Sequence, residues 1–480
     1  MFRYKSRSQK PEVRSQTKSI QAIGYRQWAI GYWQRVFVFC LFLLPFAYCL
    51  SPSVVFASEK QVSLSDAIRT ALESNHEILA FKNSLYAQKE DIGVARSFLL
   101  PKITFEERYM RTNNPTYSFM AKLNQKRFAQ SDFAVTSLND PKPINDFQTS
   151  LSFEQPLFVR KAHIGLDMSK KEFSAKSEEF IRKKEEIALR VVQTYLMVHT
   201  AKEYVRVAEK AVEDAKEHLR IAELRYKAGL GLYSDTLRAS TAVTDAEQRL
   251  VSAQKNLSVS KRALGLLLGM SESVDSIDKT PEFTAMGIDY YTSASLLRKD
   301  VKSLELRHEN AKNNVKLAES GYFPAIGIGG SYQLNDHRRP LGSEGDSWQI
   351  TAFLRWELLD GTKREYERSK AKYKVAETEE YLNGLKKAVA FKVYEAYLGV
   401  QEAKKNVELS KNALKTAEEG KRLVKIRYEN ALSPIVDLMD AQVSLDHARA
   451  NLVAKGNEYR IAVANLSYES GTILKDLKIE

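Results

Sequence analysis

The sequence predicts a mixed α and β membrane protein with two tandem repeats, each holding two transmembrane β-strands and long coiled-coil helices. Three observations lead to this fold class. The second half repeats the first, apolar residues recur every 3.5 residues over very long stretches, and short segments alternate between apolar and polar residues. We predict a signal peptide over residues 1–57, a first repeat over 58–280 and a second over 281–480.

The first segment has the composition of a secretory signal. Residues 1–35 carry eight Lys or Arg and a single acid, and the apolar run after them ends in Val55-Phe56-Ala57. This order predicts cleavage after the last of these residues, with an uncleaved anchor as the alternative. Cys40 and Cys49 both fall in the leader, so the exported chain would hold neither a disulfide nor a thiolate metal site. The leader also carries +7 of the formal +13, which argues against a nucleic-acid partner.

The internal repeat determines the predicted architecture. Thr194-Tyr-Leu-Met-Val198 aligns with Ala396-Tyr-Leu-Gly-Val400 at an offset of 202 residues. Farther upstream, residues 95–101 align with 318–324 at an offset of 223. Because these two offsets differ, the first half must contain an insertion between the two aligned segments. We expect its extra residues, including 112–143, to lie outside the cell.

Each half begins with a helical pattern. The patterns cover residues 64–98 in the first half, with Ser65 as the expected N-cap, and 295–322 in the second. Pro101 and Pro324 end them, because proline lacks the backbone N–H and clashes with the preceding turn.

Two alternating segments follow in each half, near residues 103–109, 147–157, 326–332 and 348–358. Their length suits strands that cross a bilayer, although ordinary half-buried strands are the alternative. Trp348 and Trp356 are the only tryptophans after the leader, and both fall on one face of the last segment. Eight residues at ~3.3 Å each separate them by ~26 Å along the strand, a spacing that suits two membrane-interface belts.

Very long heptad patterns complete each half. Between residues 187 and 226 one heptad position is mostly valine and another mostly alanine, and residues 389–417 repeat the scheme. If residues 161–227 form one helix, it is ~100 Å long. A generic coiled-coil spacer would explain these heptads, but neither the duplication nor the strands.

The predicted strands require oligomerisation. Four strands cannot close a barrel, and open sheet edges are not tolerated in hydrocarbon. A ring of two or more copies would close both the strands and the helices.

Several short segments occur in a specific order: Leu64-Ser-Asp-Ala-Ile-Arg-Thr-Ala-Leu72, Leu100-Pro-Lys-Ile-Thr104, Phe153-Glu-Gln-Pro-Leu-Phe158, Arg225-Tyr-Lys-Ala-Gly229, Trp356-Glu-Leu-Leu-Asp-Gly361 and Arg427-Tyr-Glu-Asn-Ala431. Through them the chain resembles the TolC outer-membrane efflux family. The resemblance implies a homotrimer in outer-membrane lipid, with a trimeric β-barrel continuous with a periplasmic α-helical barrel. It implies passive conduction of substrates in a tripartite efflux or type I secretion system. A periplasmic adaptor (membrane fusion) protein and an inner-membrane transporter are the implied partners.

The resemblance assigns roles to residues at two helix-turn tips, 227–237 and 429–439. Asp437 and Asp440 match aspartates that ring the narrowest part of the pore, where carboxylates attract cations. Stabilising a helix N-terminus is their alternative role.

Tyr428 and Asp235 match a contact that holds the entrance shut, with a plain core role as the alternative for Tyr428. Ser433 and Ala431 stand where the best-known member has an arginine and a glycine, so the arginine part of that closure is absent. The implied adaptor-docking residues are Gly229, Leu230, Ser234, Ser433 and Pro434.

The competing predictions are a periplasmic coiled-coil adaptor or a structural protein such as a surface adhesin, and more distantly an enzyme. An adaptor would lack the apolar strands and the duplication, and an adhesin would lack the tip turns. The seven histidines show no metal-ligand spacing and no nucleophile constellation is visible. We therefore predict no catalytic residue, metal or cofactor.

Overall fold

A computed structural model of the chain describes residues 60–277, 283–430 and 432–479. The predicted signal peptide, both cysteines and Ala431 lie outside the described residues. The strands are β1 (Lys60–Val62), β2 (Lys102–Thr112), β3 (Ile144–Phe158), β4 (Val274–Ser276), β5 (Ala325–Asp336) and β6 (Gly345–Arg355). The helices are α1 (Leu64–Ser74), α2 (His76–Ser97), α3 (Pro115–Asn124), α4 (Val135–Asn139), α5 (Arg160–Lys227), α6 (Tyr233–Leu267), α7 (Ile288–Ser295), α8 (Lys299–Glu319), α9 (Lys363–Glu429), α10 (Ile435–Ser470) and α11 (Ile473–Asp476). Two short 3₁₀ helices cover Gln130–Phe133 and Ser320–Tyr322.

The first helical pattern of the first half is broken into two helices, so the prediction of a single stretch over 64–98 is wrong. The stretch predicted over 295–322 corresponds to α8 and the short 3₁₀ helix after it, and only Ser295 belongs to the preceding α7. Asn75 separates α1 from α2, because its side chain accepts hydrogen bonds from the N–H groups of Glu77 and Ile78. The N-cap of α1 is Ser63, whose hydroxyl accepts from the backbone N–H of Asp66, and not Ser65. In the second half α7 and α8 are separate helices.

The long helices follow the heptad patterns closely. Helix α5 has 68 residues, so at ~1.5 Å per residue it is ~100 Å long. Its valine and alanine heptad positions are buried along most of its length, for example at Val191, Val198 and Ala215. Tyr226, the last residue of the valine series, is an exception and is exposed beside Tyr233.

The helices pack side by side in groups of four. In the part nearer the four-stranded sheet, the order of contacts is α2, α5, α8 and α9. In the part nearer the tips, the order is α6, α5, α10 and α9. Helices α5 and α9 therefore run through both parts, while α2 and α6 form one edge and α9 forms the other.

The largest apolar core lies around the middle of α5. Ile187, Val191 and Tyr195 pack there against residues of α1, α6 and α11. The short parallel pair of β1 and β4 covers this region, and the Tyr195 hydroxyl donates to the carbonyl oxygen of Val62 at 3.2 Å. This core fixes the level at which the two helical parts meet.

The other four strands form an antiparallel sheet in the order β2-β3-β5-β6. Its register places Leu151 opposite both Phe105 and Tyr332, and Tyr332 opposite Trp348, so one face is largely apolar. The other face carries polar side chains, listed by strand as Arg108, Gln148, Ser150, Gln333, Asn335, Ser347 and Gln349. Glu107 is an exception on the apolar face, where its carboxylate accepts a hydrogen bond from Thr149.

The outer edges of this sheet are β2 and β6, and neither is paired within the described residues. The connection from β2 to β3 is not an irregular loop, since it contains α3, α4 and a 3₁₀ helix. Within the described ranges, no helix combines the length and the apolar character needed to cross a membrane.

Candidate functional site

The two helix-turn tips are tighter than the sequence predicted, because α6 begins at Tyr233 and α10 at Ile435. In the first tip Gly229 has a φ of +75°, a left-handed conformation that glycine adopts without strain. The backbone N–H of Leu230 donates to the carbonyl oxygen of Arg225 at 2.8 Å, which ends α5. In the second tip, Leu432 makes the equivalent bond to Arg427 at 2.8 Å.

The residues predicted to dock an adaptor lie at these tips, and the side chain of Leu230 is 72% exposed. Leu232 and Leu432 are similarly exposed, at 68% and 70%. Ser234 falls inside the first turn of α6, and Pro434 is the N-cap of α10. The tips therefore present leucines to the surroundings that the described chain leaves uncovered.

Asp437 and Asp440 lie in the first two turns of α10 and are both exposed. The Ser433 hydroxyl donates to the Asp437 carboxylate at 2.5 Å. Ile435 and Leu438 lie on the opposite face of the helix and are buried. The two carboxylates consequently point away from the packed side of α10.

Tyr428 is buried at the point where both hairpins meet. It belongs to an apolar cluster with Ala222 of α5, Ala239 of α6 and Leu438 of α10. Burial raises the pKa of the Tyr428 hydroxyl, the Arg225 charge lowers it, and the Asp235 charge raises it. The structure thus brings Tyr428 and Asp235 into the same region, but within the described residues no hydrogen bond joins them.

Arg225 is the main partner of Tyr428, and the sequence analysis did not assign it a role. Its guanidinium lies 4.7 Å from the centre of the Tyr428 ring, and its Nη1 donates to the Tyr428 carbonyl oxygen. This pair connects the end of α5 to the end of α9. The only hint of this contact in the sequence is that an Arg-Tyr pair occurs at both tips. The repeat itself does not indicate which residues of one hairpin meet which residues of the other.

A buried polar cluster lies farther along the helices, away from the tips. The Asp214 carboxylate of α5 accepts from Lys421 of α9 and from Gln442 of α10, each at 3.1 Å. Arg449 of α10 is 3.7 Å from the same oxygen. Burial alone would raise the pKa of Asp214, but the hydrogen bond and charge of Lys421 hold it below its usual value. The cluster joins the two hairpins through charges that the sequence analysis did not identify.

His218 lies beside this cluster and is 6% exposed, and neither ring nitrogen has a hydrogen-bond partner in the described structure. Burial lowers its pKa, and the nearby Lys421 charge lowers it further. A cavity of about 330 Å³ adjoins the ring, lined by alanines of α5 and α6 and by polar or charged residues of α6 and α10, among them Asp245 and Asp446. Protonating His218 would add a charge in a mostly buried position close to the charge of Lys421.

The predicted membrane-interface tryptophans lie at opposite ends of β6. Trp348 is 72% exposed, whereas Trp356 follows the last strand residue and donates from Nε1 to the carbonyl oxygen of Tyr322 at 3.2 Å. By its register with Tyr332, the Trp348 side chain lies on the face opposite the polar one.

One group of possible metal ligands occurs in the described part of the chain, at Asp336, His337 and Glu344 between β5 and β6. His337 Nδ1 lies 2.5 Å from Glu344 Oε2, and Arg338 Nε donates to His337 Nε2 at 3.1 Å. Because Arg338 occupies the remaining ring nitrogen, this group is arranged as a hydrogen-bonded network.

Comparison with known proteins gives a family match over most of the chain. The model of the family described as "Outer membrane efflux protein" matches residues 67–270 and 290–472. The outer membrane protein TolC of Vibrio cholerae is 23% identical over 431 residues, which cover 86% of this chain and 91% of that protein. The alkaline protease secretion protein AprF of Pseudomonas aeruginosa is 21% identical, over 63% of each chain.

Solved structures share the fold. The Campylobacter jejuni CmeC outer membrane channel superposes with a TM-score of 0.70 at 15% identity, over 88% of this chain and 91% of that one.

Proposed function

The chain belongs to the outer membrane efflux protein family, and it is an outer-membrane channel for efflux or type I secretion that extends into the periplasm. On this premise we propose that three copies close into one passive channel, in which twelve strands form a membrane barrel and the long helices form a tunnel continuous with it. The observation that carries the proposal is that, in the part of the chain that the structure describes, the four-stranded sheet and both helical parts leave unpaired edges on matching sides.

The positions of these edges allow one rotation to pair the strands and the helices of neighbouring copies together. Along one side run β2, α2 and α6, and along the other run β6 and α9. An open sheet edge leaves backbone groups unsatisfied in hydrocarbon, so β2 of one copy must pair with β6 of the next. The same rotation brings α9 against α2 and α6 of the neighbouring copy.

Exposed apolar residues support this interface. Tyr366, Tyr373 and Tyr394 share one heptad position of α9, away from the buried Val393 and Val400. On the opposite edge Tyr86, Val94, Val251 and Val259 of α2 and α6 are also exposed. Glu380 and Lys387 occupy the same heptad position between Tyr373 and Tyr394, so the apolar surface forms separate patches along α9. Exposed apolar patches of this kind mark interaction sites.

The tips then form the periplasmic entrance, and Asp437 and Asp440 of each copy line its narrowest part. Carboxylates at close quarters concentrate cations and repel anions. Tyr428, Arg225 and Asp235 hold the hairpins together at this level, and the exposed Leu230, Leu232 and Leu432 surround the surface that meets a periplasmic adaptor. The adaptor in turn connects the channel to an inner-membrane transporter, which supplies the energy.

The predicted repeat boundaries, 58–280 and 281–480, are part of the same proposal. Each repeat contributes two strands of the sheet and one long helical hairpin, α5–α6 or α9–α10. A periplasmic adaptor, the alternative from the sequence, would have no use for a four-stranded sheet with one apolar face.

Single-channel recording in a planar bilayer tests the proposal. In a salt gradient we expect discrete, cation-selective openings, and we expect the double variant Asp437→Ala with Asp440→Ala to lose that selectivity. Asp235→Ala is the matched control at the first tip, and it should keep the selectivity. Openings with an unchanged reversal potential in the double variant would reject the carboxylate ring while leaving the channel intact.

The same recordings test the entrance. Tyr428→Ala removes the buried ring and should increase the open fraction, whereas Tyr428→Phe keeps the ring and should not. An unchanged open fraction in Tyr428→Ala would show that this residue only fills the core.

A further inference from the structure

The connection between β2 and β3, residues 113–143, is a folded unit, and we call it the mouth segment. Asn114 caps α3 by accepting from the backbone N–H of Tyr117 at 3.2 Å. An ion pair between Lys122 and Asp132, at 2.7 Å, joins α3 to the 3₁₀ helix. Three rings meet edge to face with centroids 4.8 and 5.0 Å apart, those of Phe119, Phe128 and Phe133. The segment therefore has a small core of its own.

The mouth segment folds back across the end of the sheet instead of extending away from it. Gln125 is 1% exposed, and its Nε2 donates to Asp146 Oδ1 at 2.8 Å and to the carbonyl oxygen of Asn145 at 2.9 Å. Asn335 of β5 donates to the same Asp146 carboxylate at 3.1 Å. Lys126 Nζ reaches Asp346 Oδ1 of β6 at 2.6 Å. The end of α3 thus spans β3, β5 and β6.

The turn that makes these contacts is conformationally unusual. Lys126 has a φ of +54°, which costs a residue other than glycine about 1 kcal/mol. The neighbouring contacts of Gln125 and the Lys126–Asp346 ion pair offset this cost. The segment is therefore held in this position by specific polar contacts.

Apart from the Lys126–Asp346 ion pair, whose Asp346 pairs with Leu334 and so lies on the opposite face, the contacts lie on the polar face of the sheet. Gln148, Asn335 and Gly345 are adjacent in register on that face, and Asp146 is two residues from Gln148 on the same strand. A Cβ at Gly345 would lie 1.8 Å from the Asn124 carbonyl oxygen, so the end of α3 rests directly on this face. The apolar face, with Tyr332 and Trp348, is left free for lipid.

We propose that the mouth segment lies inside the outer mouth of the channel and limits the size of solutes that pass there. This inference rests on the proposed function, since closing the sheet into a barrel turns the polar face inward. The contacts occur at the sheet end opposite the one joined to the long helices, and this end opens to the outside. Tyr117, Met120 and Leu123 face away from the sheet and are exposed, so in a closed ring they point towards the segments of the other two copies.

Cysteine accessibility on intact cells tests the proposal without depending on the periplasmic entrance. Ser331→Cys places a thiol on the polar face of β5, and residues 60–480 contain no other cysteine. We expect a small membrane-impermeant maleimide to label it from outside and a large poly(ethylene glycol) maleimide to be excluded. Because Thr112 and Ile144 are register partners, an Asn-Gly turn can replace residues 113–143. In that variant the large reagent should also label Ser331→Cys.

Two controls separate the possible failures. Arg339→Cys, in the exposed β5–β6 connection, should react with both reagents in either background, and a lack of reaction would contradict the outer-membrane orientation itself. With Gln125→Ala added, the large reagent should label part of the Ser331→Cys protein. With Gln130→Ala added, at an exposed position in the same segment, it should not. Equal labelling by the large reagent with and without the segment would overturn the proposal. A lack of labelling of Ser331→Cys by the small reagent would also overturn the proposal.

Discussion

At the scale of single residues, the charges between the hairpins are the least expected feature. Heptad positions in α5 and α9 predict apolar packing, yet Asp214 and Lys421 meet there as a partly buried pair. Removing one partner of such a pair is costly because the other charge is left without compensation. These groups make the packing between the two repeats specific, and they also make it sensitive to protonation.

His218 should make the stability of the channel depend on pH. Its pKa is lower in the folded protein than the 6.5 of an unperturbed histidine, so the unfolded chain binds the proton more readily. The stability contribution is therefore complete above pH 6.5 and falls as the pH drops through that value, by at most about 1.4 kcal/mol per pH unit. His218→Leu should reduce this loss, as measured by thermal unfolding at pH 7.5 and pH 5.5.

His447→Leu is the matched control, since His447 lies on α10 near the same level but is exposed. We expect its unfolding midpoint to change with pH as in the parent protein. If His218→Leu kept the full acid sensitivity of the parent, Asp214 and its neighbours would have to account for that sensitivity.

At the scale of elements, the sequence predicted helices correctly where the heptad period continues over many residues. It failed where a local polar side chain ends or begins a helix. The predicted helix over 161–227 agrees with α5 to within one residue, because many heptads support it. The break at Asn75 was missed because the apolar pattern continues across it. Helix α3 was also missed, although Asn114-Pro115 is a common helix start.

For the candidate site, the sequence likewise predicted where the residues lie along the chain but not which of them meet. The tips could be located from the end of the heptads, and Tyr428 could be named by resemblance. The contact between Arg225 and Tyr428 joins residues on different hairpins, and a one-dimensional repeat carries no information about which positions meet across hairpins. Only the packing of α5 against α10 brings them together.

The tip turn depends on the backbone freedom of Gly229. A Cβ at this position would meet no atom within 4 Å, so Gly229→Ala should lose about 1 kcal/mol purely because of the left-handed φ of +75°. Gly420→Ala, within α9 and equally uncrowded, should instead gain up to about 1 kcal/mol from higher helix propensity. Urea unfolding of the detergent-solubilised protein measures both changes. Shifts of the same sign would show that the tip tolerates an ordinary residue.

At the scale of the whole molecule, one chain is structurally incomplete. Among residues 60–277, 283–430 and 432–479, the sheet has two unpaired edges and the helical groups have two, and exposed aromatic residues follow α9 on the side away from its own partners. In the proposed ring, the rotation that satisfies the strands also covers the helices, so assembly and channel formation would be the same event. A variant that blocks the helical interface should therefore also remove the barrel.

Tyr373 offers the sharpest test of this coupling. Its side chain is 77% exposed in the single chain, so Tyr373→Glu costs the isolated protomer little. In the proposed ring the same side chain would lie against the neighbouring copy, where an unpaired charge is expensive to bury. We expect Tyr373→Glu to lower the trimer fraction measured by light scattering in detergent, and to lower channel activity in parallel. Tyr373→Phe keeps the apolar ring and should assemble normally. A fully trimeric Tyr373→Glu would place the subunit interface elsewhere on α9 and would separate helical packing from closure of the strands.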